Sequence, residues 1–247
     1  MKTAIILIMI AISVAFSFKT DFLAEQKKYE RVRTSINDKE SVIIKKLEEN
    51  GLKLDNLNIL IVAFKEEEQL LIYAKNKNET TYKKILTYEI CARSGELGPK
   101  RKQGDNQVPE GFYQIDRFNP TSNFYLSLGL NYPVTADKRK SKASNLGGDI
   151  FIHGSCVTIG CLPMTDDKIK EIYLYAIHSR NNGQMKIPVY IFPFVMSDQN
   201  VNKYKNNYKN DGELINFWTN LKQGYDKFES DKKELKFSFD TNGNYTF

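Results

Sequence analysis

The residues able to break a bond lie close together. His153 is one of two histidines in the chain, and Cys156 and Cys161 are two of its three cysteines. All three fall in the stretch Asp149 to Asp167, with Gly148, Gly154 and Gly160 among them. A thiol and an imidazole on one short, Gly-punctuated loop is what a cysteine nucleophile needs. The imidazole takes the thiol proton, and the thiolate attacks a carbonyl carbon. Other readings of the same residues stay open. His153, Cys156 and Cys161 could hold zinc with Cys91 or His178 as a fourth ligand, although paired C-x2-C or H-x3-H spacing is absent. A Cys156–Cys161 disulfide suits an oxidising compartment, and a plain buried pair of thiols is the third possibility.

The neighbouring elements must deliver these side chains. Ile150, Phe151 and Ile152 form a short apolar run that reads as a buried strand carrying His153 and Gly154 to a turn. Past Cys161, Thr165 is a good N-cap, and Asp166 and Asp167 suit the positive end of a helix. That positive end is expected to lower the Cys161 pKa. Ile169, Ile172, Tyr173, Ala176 and Ile177 give the helix its buried face, His178 near its last turn reads as a cap or surface residue, and Gly183 stops it. Gly160 leaves the backbone N–H of Cys161 open to a reacting oxygen.

The rest of the chain reads as strands with few helices. Leu57–Phe64 is a strong strand, and Leu70–Lys75 is its hairpin partner. Tyr82–Ala92 follows, with Cys91 read as a small core residue. Phe112–Phe118, Phe124–Leu130 and Lys186–Val195 complete the set. Residues 20–36 and a second segment closed by Gly51 read as a helical lead-in arm without chemistry. Tyr132–Gly148, with Lys138, Arg139, Lys140 and Lys142, has the length and polarity of a mobile flap that could attract carboxylates. Val195–Asn210 reads as an Asn/Lys-rich linker. Asp211 caps a helix bearing Leu214, Phe217, Trp218, Leu221, Tyr225 and Phe228, and residues 231–247 read as a polar, strand-like tail. The class expected is a β-rich α+β domain with one central helix and flanking N- and C-terminal helices.

The run I-H-G-S-C-V-T-I-G-C-L-P-M-T-D resembles the murein L,D-transpeptidase catalytic domain of the YkuD-like superfamily. It looks closest to its YafK-like branch, with signature I-H-G-x-x-x-[ST]-x-G-C-x-x-M-T-D. The resemblance extends through Gly98-Pro99-Lys100, Gly104-Asp105, Pro109-Glu110-Gly111-Phe112-Tyr113, Asn119-Pro120, Tyr132-Pro133, Gly147-Gly148, Gly183-Gln184 and Ile187 to Phe194. It covers residues 57 to 230. Two features depart from the commoner members, which carry a second histidine two residues before the cysteine and a longer insert ahead of it. Ile159 stands in that histidine's place, and both departures fit the closer branch, which includes hydrolases as well as transpeptidases.

The resemblance implies a compact β-sandwich-like fold with the cysteine at its cleft. It implies Cys161 as nucleophile, His153 as proton acceptor and donor, and the backbone N–H groups of Cys161 and Gly160 as oxyanion donors. Gly154, Ser155 and Thr158 would contact substrate. The group that orients His153 is not identifiable from the sequence; a backbone carbonyl or the Ser155 hydroxyl would serve. Peptidoglycan stem peptides are the implied partner, with a wall-attached protein as a further acceptor or substrate. No metal and no cofactor are implied.

Composition sets the compartment and the boundaries. The chain has 247 residues, 41% of them hydrophobic, and a net charge of +6. No nucleic-acid motif accompanies that charge, so no nucleic-acid partner is expected; an anionic wall polymer or membrane surface is a physical partner, and plainly solvated Lys-rich loops are the equal alternative. Lys2, the apolar run Ala4–Phe16 and the small residues Ala15 and Ser17 read as an export signal over residues 1–17, leading to a periplasmic or cell-envelope location. Membrane contact is expected only through that segment, were it to stay uncleaved. The domain division expected is an arm over 18–56, the catalytic domain over 57–196 and a C-terminal linker, helix and tail over 197–247.

Overall fold

The computed structural model describes residues 21–247, so the expected export signal lies outside the described residues. Eight strands form one sheet in the order β3-β2-β1-β8-β4-β5-β6-β7. They are β1 (Leu57–Phe64), β2 (Gln69–Asn76), β3 (Lys83–Glu89), β4 (Gly111–Asn119), β5 (Ser127–Leu130), β6 (Phe151–His153), β7 (Leu162–Pro163) and β8 (Ile187–Phe192). β1 runs parallel to β8 and β6 parallel to β7, and the other neighbours are antiparallel. The β-rich α+β class expected from the sequence is what the chain adopts.

β1 is apolar at every position but Asn58 because both of its faces are covered. Ile59, Ile61 and Ala63 join a core shared with α4 (Asp166–Asn181), while Leu60, Val62 and Phe64 join a second core on the opposite face. The period of two along the strand thus assigns alternate residues to two cores. α4 is the central helix. Ile169, Ile172 and every residue from Tyr173 to Ile177 are fully buried on it, as expected of a helix that is apolar on nearly all sides. Helices α1 (Phe22–Lys27) and α2 (Glu30–Glu48) close the outside of that core.

The second core is closed by α6 (Gly212–Asp231), α5 (Asp198–Asn207) and the two-stranded hairpin of β9 (Ser238–Phe239) and β10 (Tyr245–Thr246). One reading of the sequence is corrected here, and the strand-like tail takes a definite form. The stretch read as an Asn/Lys-rich linker contains α5, whose cap is the Ser197 side chain accepting from Asn200 N at 3.2 Å. The polar tail is the β9–β10 hairpin, and Phe237, Tyr245 and Phe247 bring aromatic edges onto Phe112 at centroid separations of 4.7 to 5.6 Å.

A buried ion pair ties the two halves of the sheet to α6. Lys65 Nζ, just past β1, donates to Glu110 Oε1 at 2.9 Å and to the carbonyls of Gly98 and Val108. The same Glu110 oxygen accepts from Gly98 N at 2.7 Å, and Oε2 accepts from Trp218 Nε1 at 2.9 Å. The Glu110 side chain is fully buried, so its charge is tolerable only because each oxygen is satisfied. Removing the carboxylate in Glu110→Ala strands the Lys65 ammonium and should cost about 3–5 kcal/mol of stability. A denaturation midpoint unchanged from that of the parent chain would contradict this.

Candidate active site

β6 and β7 bring the two reactive side chains together. Their parallel register pairs Ile152 with Leu162 and His153 with Pro163. Continued by one residue, it sets Cys161 opposite Phe151. Partners in register share a face, and Phe151 and His153 are two apart, so Cys161 and His153 emerge on one side of the sheet edge. Both line one cavity of about 510 Å³, whose walls include Phe124, Ser127, Asp149, Val157, Thr158 and Ile159. A larger cleft among the described residues, about 1180 Å³ between α6, the β9–β10 hairpin and Arg101, touches neither residue.

His153 is 2% exposed. Its Nδ1 lies 2.5 Å from the Gly154 carbonyl oxygen. A carbonyl can only accept, so Nδ1 carries the proton and Nε2 is left as the acceptor a general base requires. The backbone carbonyl thus orients the ring, and the Ser155 hydroxyl does not. Burial pushes the His153 pKa below its ordinary value, with the Gly154 contact pulling the other way. The ring of Phe124 lies over it, centroids 4.6 Å apart and planes 32° apart.

Cys161 is half-buried and is a free thiol. Its Sγ points to the Asp149 carbonyl at 3.6 Å. Burial raises the thiol pKa, and the charge of Asp149 adds to this. A backbone hydrogen bond from Phe151 and the charge of Lys100 only partly oppose it. The resting pair is therefore neutral thiol and neutral imidazole, not the thiolate anticipated from the helix start at Thr165. Thr165 does cap α4, accepting from Lys168 N at 3.2 Å, but burial is the largest influence on the thiol pKa.

The loop from Gly154 to Gly160 is fixed at every turn. Ser155 N donates to Asp166 Oδ1 at 2.9 Å, and a Cβ on Gly154 would stand 2.6 Å from that oxygen. Gly160 has φ +135°, and a Cβ there would meet the Gln107 carbonyl at 3.0 Å. Thr158 Oγ1 accepts from Cys161 N at 2.8 Å and from Gly160 N at 3.2 Å, and donates to the Cys161 carbonyl. The two N–H groups expected to hold an oxyanion are thus engaged by a hydroxyl oxygen, that of Cys161 at a distance suited to an oxyanion and that of Gly160 slightly beyond it. Thr158, expected to touch substrate, is tied to its own loop and also lines the cavity.

The thiols are sorted by a disulfide. Cys91 is bonded to Cys156, Cα atoms 5.4 Å apart. This corrects three readings: Cys91 as a core residue, Cys156 and Cys161 as a plain buried pair of thiols, and Cys156 with Cys161 as a bridge. It also removes Cys91 and Cys156 as free zinc ligands, and no group of three or more His, Cys, Asp or Glu among the described residues is placed to hold a metal. The bridge pins the loop to the segment after β3, where Cys91 N also donates to the Pro163 carbonyl at 3.1 Å. Two further corrections concern polar residues. His178 is 8% exposed and pairs through Nε2 with Glu40 at 3.1 Å, so it is neither a surface residue nor near the cavity. The basic stretch read as a mobile flap holds α3 (Thr135–Lys140), whose Arg139 and Lys140 bond Asp240 and Asn244 in and beside the hairpin.

Comparison with known proteins now decides the family. A model of the YkuD L,D-transpeptidase catalytic domain matches residues 58–191. YafK of Escherichia coli, which carries L,D-transpeptidase as a provisional name, is 38% identical over 190 residues, covering 76% of this chain and 72% of that protein. The chain belongs to the L,D-transpeptidase catalytic-domain family. Among solved structures, the helical cell shape determining protein Pgp2 of Campylobacter jejuni aligns with TM-score 0.44 and 18% identity over 74% of each chain. Bd1075 of Bdellovibrio bacteriovorus aligns with TM-score 0.40 and 23% identity, over 70% of this chain and 62% of that one.

In this L,D-transpeptidase domain several site residues escaped the sequence reading. Phe124 and Asp149 gave no signal because a wall residue has no motif of its own. The Cys91–Cys156 connectivity cannot be read from three cysteines without coordinates. Two outcomes follow. Alkylation of Cys161 should accelerate with pH up to and beyond the ordinary thiol value of 9.0, whereas a rate already level at neutral pH would contradict a raised pKa. Cys156→Ala should lower stability by about 2–4 kcal/mol through loss of the bridge while leaving Cys161 reactive, as read by a melt and by intact mass.

Proposed function

We propose that the protein is an exported cysteine acyltransferase that acts on peptidoglycan stem peptides. The observation that carries this reading is the placement of Cys161 and His153 on one face of the β6–β7 edge, lining one cavity, with His153 held by Gly154 as the Nε2-acceptor tautomer. Membership of the L,D-transpeptidase family supports peptidoglycan as the substrate. The Cys91–Cys156 disulfide supports an oxidising compartment outside the cytoplasm.

The reaction starts from the neutral pair. Cys161 Sγ turns from Asp149 toward His153 and gives its proton to Nε2 as it attacks the carbonyl at the L-centre of a meso-diaminopimelate residue. The carbonyl oxygen becomes the oxyanion and takes the place of Thr158 Oγ1 at the N–H groups of Cys161 and Gly160. Such donors are each worth roughly 10²–10³ in rate. The C–N bond to the terminal D-residue breaks, and His153 returns its proton to the departing amine. The thioester is then resolved by an acceptor amine, whose proton passes to His153, and the thiol is regenerated. No step needs a redox partner.

The test is incubation of the mature chain with purified muropeptides and analysis of products by mass spectrometry. The proposal expects a crosslinked dimer, lost in Cys161→Ala and reduced by roughly 10²-fold or more in His153→Ala. Release of the D-residue with no dimer would assign water as the acceptor and make the protein a hydrolase of the same bond. No turnover together with an inert Cys161 would point instead to a non-catalytic wall-binding module. Export has its own check: the processed chain should begin near Phe18 outside the cytoplasm, and a full-length cytoplasmic chain would contradict it.

A further inference from the structure

The helical arm before the sheet reaches the candidate site. Arg31 is in the first turn of α2, and its Nη1 donates to the carbonyls of Ser122 at 2.5 Å and of Tyr125 at 2.6 Å. The same guanidinium lies over the Tyr125 ring, 5.5 Å from its centroid, and Lys170 of α4 approaches that ring at 5.8 Å. These contacts grip the β4–β5 loop from outside. Inside the loop, Phe124 N donates to Ser122 Oγ at 3.0 Å, and the Phe124 ring lies over His153. Ser122, Asn123 and Phe124 are wall residues of the cavity that holds Cys161 and His153. Tyr125 has φ +68°, a conformation a non-glycine residue keeps only when its surroundings impose it.

We propose that Arg31 is a positioning residue for the Cys161–His153 site: by holding the Ser122–Tyr125 turn it sets the Phe124 ring over His153 and keeps water from that side of the imidazole. The proposal rests on the reading of His153 as the base, but its geometry can be tested apart from that reading. A cation that binds two carbonyls at once and also stacks on the next side chain fixes a turn more tightly than a neutral donor would. No other side chain from the arm holds this loop among the hydrogen bonds of the described residues. The arm is therefore part of the site's construction, although its residues read as carrying no chemistry.

The chain has two histidines, so each imidazole can be followed separately by NMR titration, with His178 as the internal reference. The charged and titratable groups around His153 are Cys161 and Asp149 across the cavity, Arg117 paired with Asp149 at 2.8 Å, and Asp166 at the start of α4. None of these is altered by a change at Arg31. In Arg31→Ala the His153 midpoint should move up toward 6.5 as water reaches the ring, His178 should stay in place, and alkylation of Cys161 at neutral pH should slow by about tenfold, short of the 10²-fold of an ångström misplacement. Arg31→Lys, which keeps a cation, should recover part of both. Phe124→Ala leaves the arm untouched and should give the same His153 shift.

Each result decides. An unmoved His153 in Phe124→Ala overturns the proposal whatever Arg31→Ala does. Parallel shifts of both histidines with a collapsed melt in Arg31→Ala would mean that the arm detaches as a whole, and would overturn a local positioning role. A shifted His153 with unchanged Cys161 reactivity would uphold the positioning role and defeat the reading of His153 as the base.

Discussion

The site depends on the parallel register of two very short strands. Neighbouring parallel strands are usually joined by a long crossover, because the chain must return to its starting end. β6 has three residues and β7 two, so the return is short, and the loop from Gly154 to Cys161 spans it with ease. At about 3.3 Å per extended residue, those eight positions have slack to coil into turns. That slack is what allows the loop to carry a disulfide, a threonine-capped turn and a glycine at positive φ. A register slip of one residue would send Cys161 and His153 to opposite faces.

Tethers from distant parts of the chain hold that register. Gly154 N donates to the Leu126 carbonyl and Met164 N to the His153 carbonyl, which fixes β6 against β5 and the loop exit. Asp166 at the head of α4 holds Ser155 N. Cys91 holds Cys156, and Gln107, in the segment that Glu110 and Lys65 anchor, presses on Gly160. Ser155 at φ +63° and Gly160 at φ +135° are sustained by this over-determination. The rigid loop has a chemical consequence. It buries the thiol and the imidazole, which pushes the thiol pKa up and the imidazole pKa down, so burial favours the neutral form of each.

Much of this was legible in the sequence, for physical reasons. β1 is a run of apolar residues because two cores press on it, and such a run is hard to mistake. The start of α4 was plain because Thr165, Asp166 and Asp167 are what an open helix end attracts. His153 and Cys161 stood out because their types are scarce in this chain, and Gly160 because it directly precedes the thiol. What was hidden depends on distance along the chain. Cys91 meets Cys156 across 65 residues, and Arg31 meets Ser122 and Tyr125 across 91 and 94. α5 was masked by its Asn- and Lys-rich composition, since its stability comes from Val201 and Tyr204 packing beneath it. The tail looked polar because Phe237, Tyr245 and Phe247 are spaced among turn residues, and only the folded hairpin gathers them onto Phe112.

The central claim is that Cys161 carries the acyl group. The most direct measurement is to quench the mature chain in acid during turnover of a stem peptide, digest it, and map the added mass. The account predicts an acyl adduct on the peptide containing Cys161, released by hydroxylamine as a thioester should be, with Cys91 and Cys156 found still bridged. Turnover that continues after Cys161 has been fully alkylated, or an adduct mapped to any other residue, would contradict it.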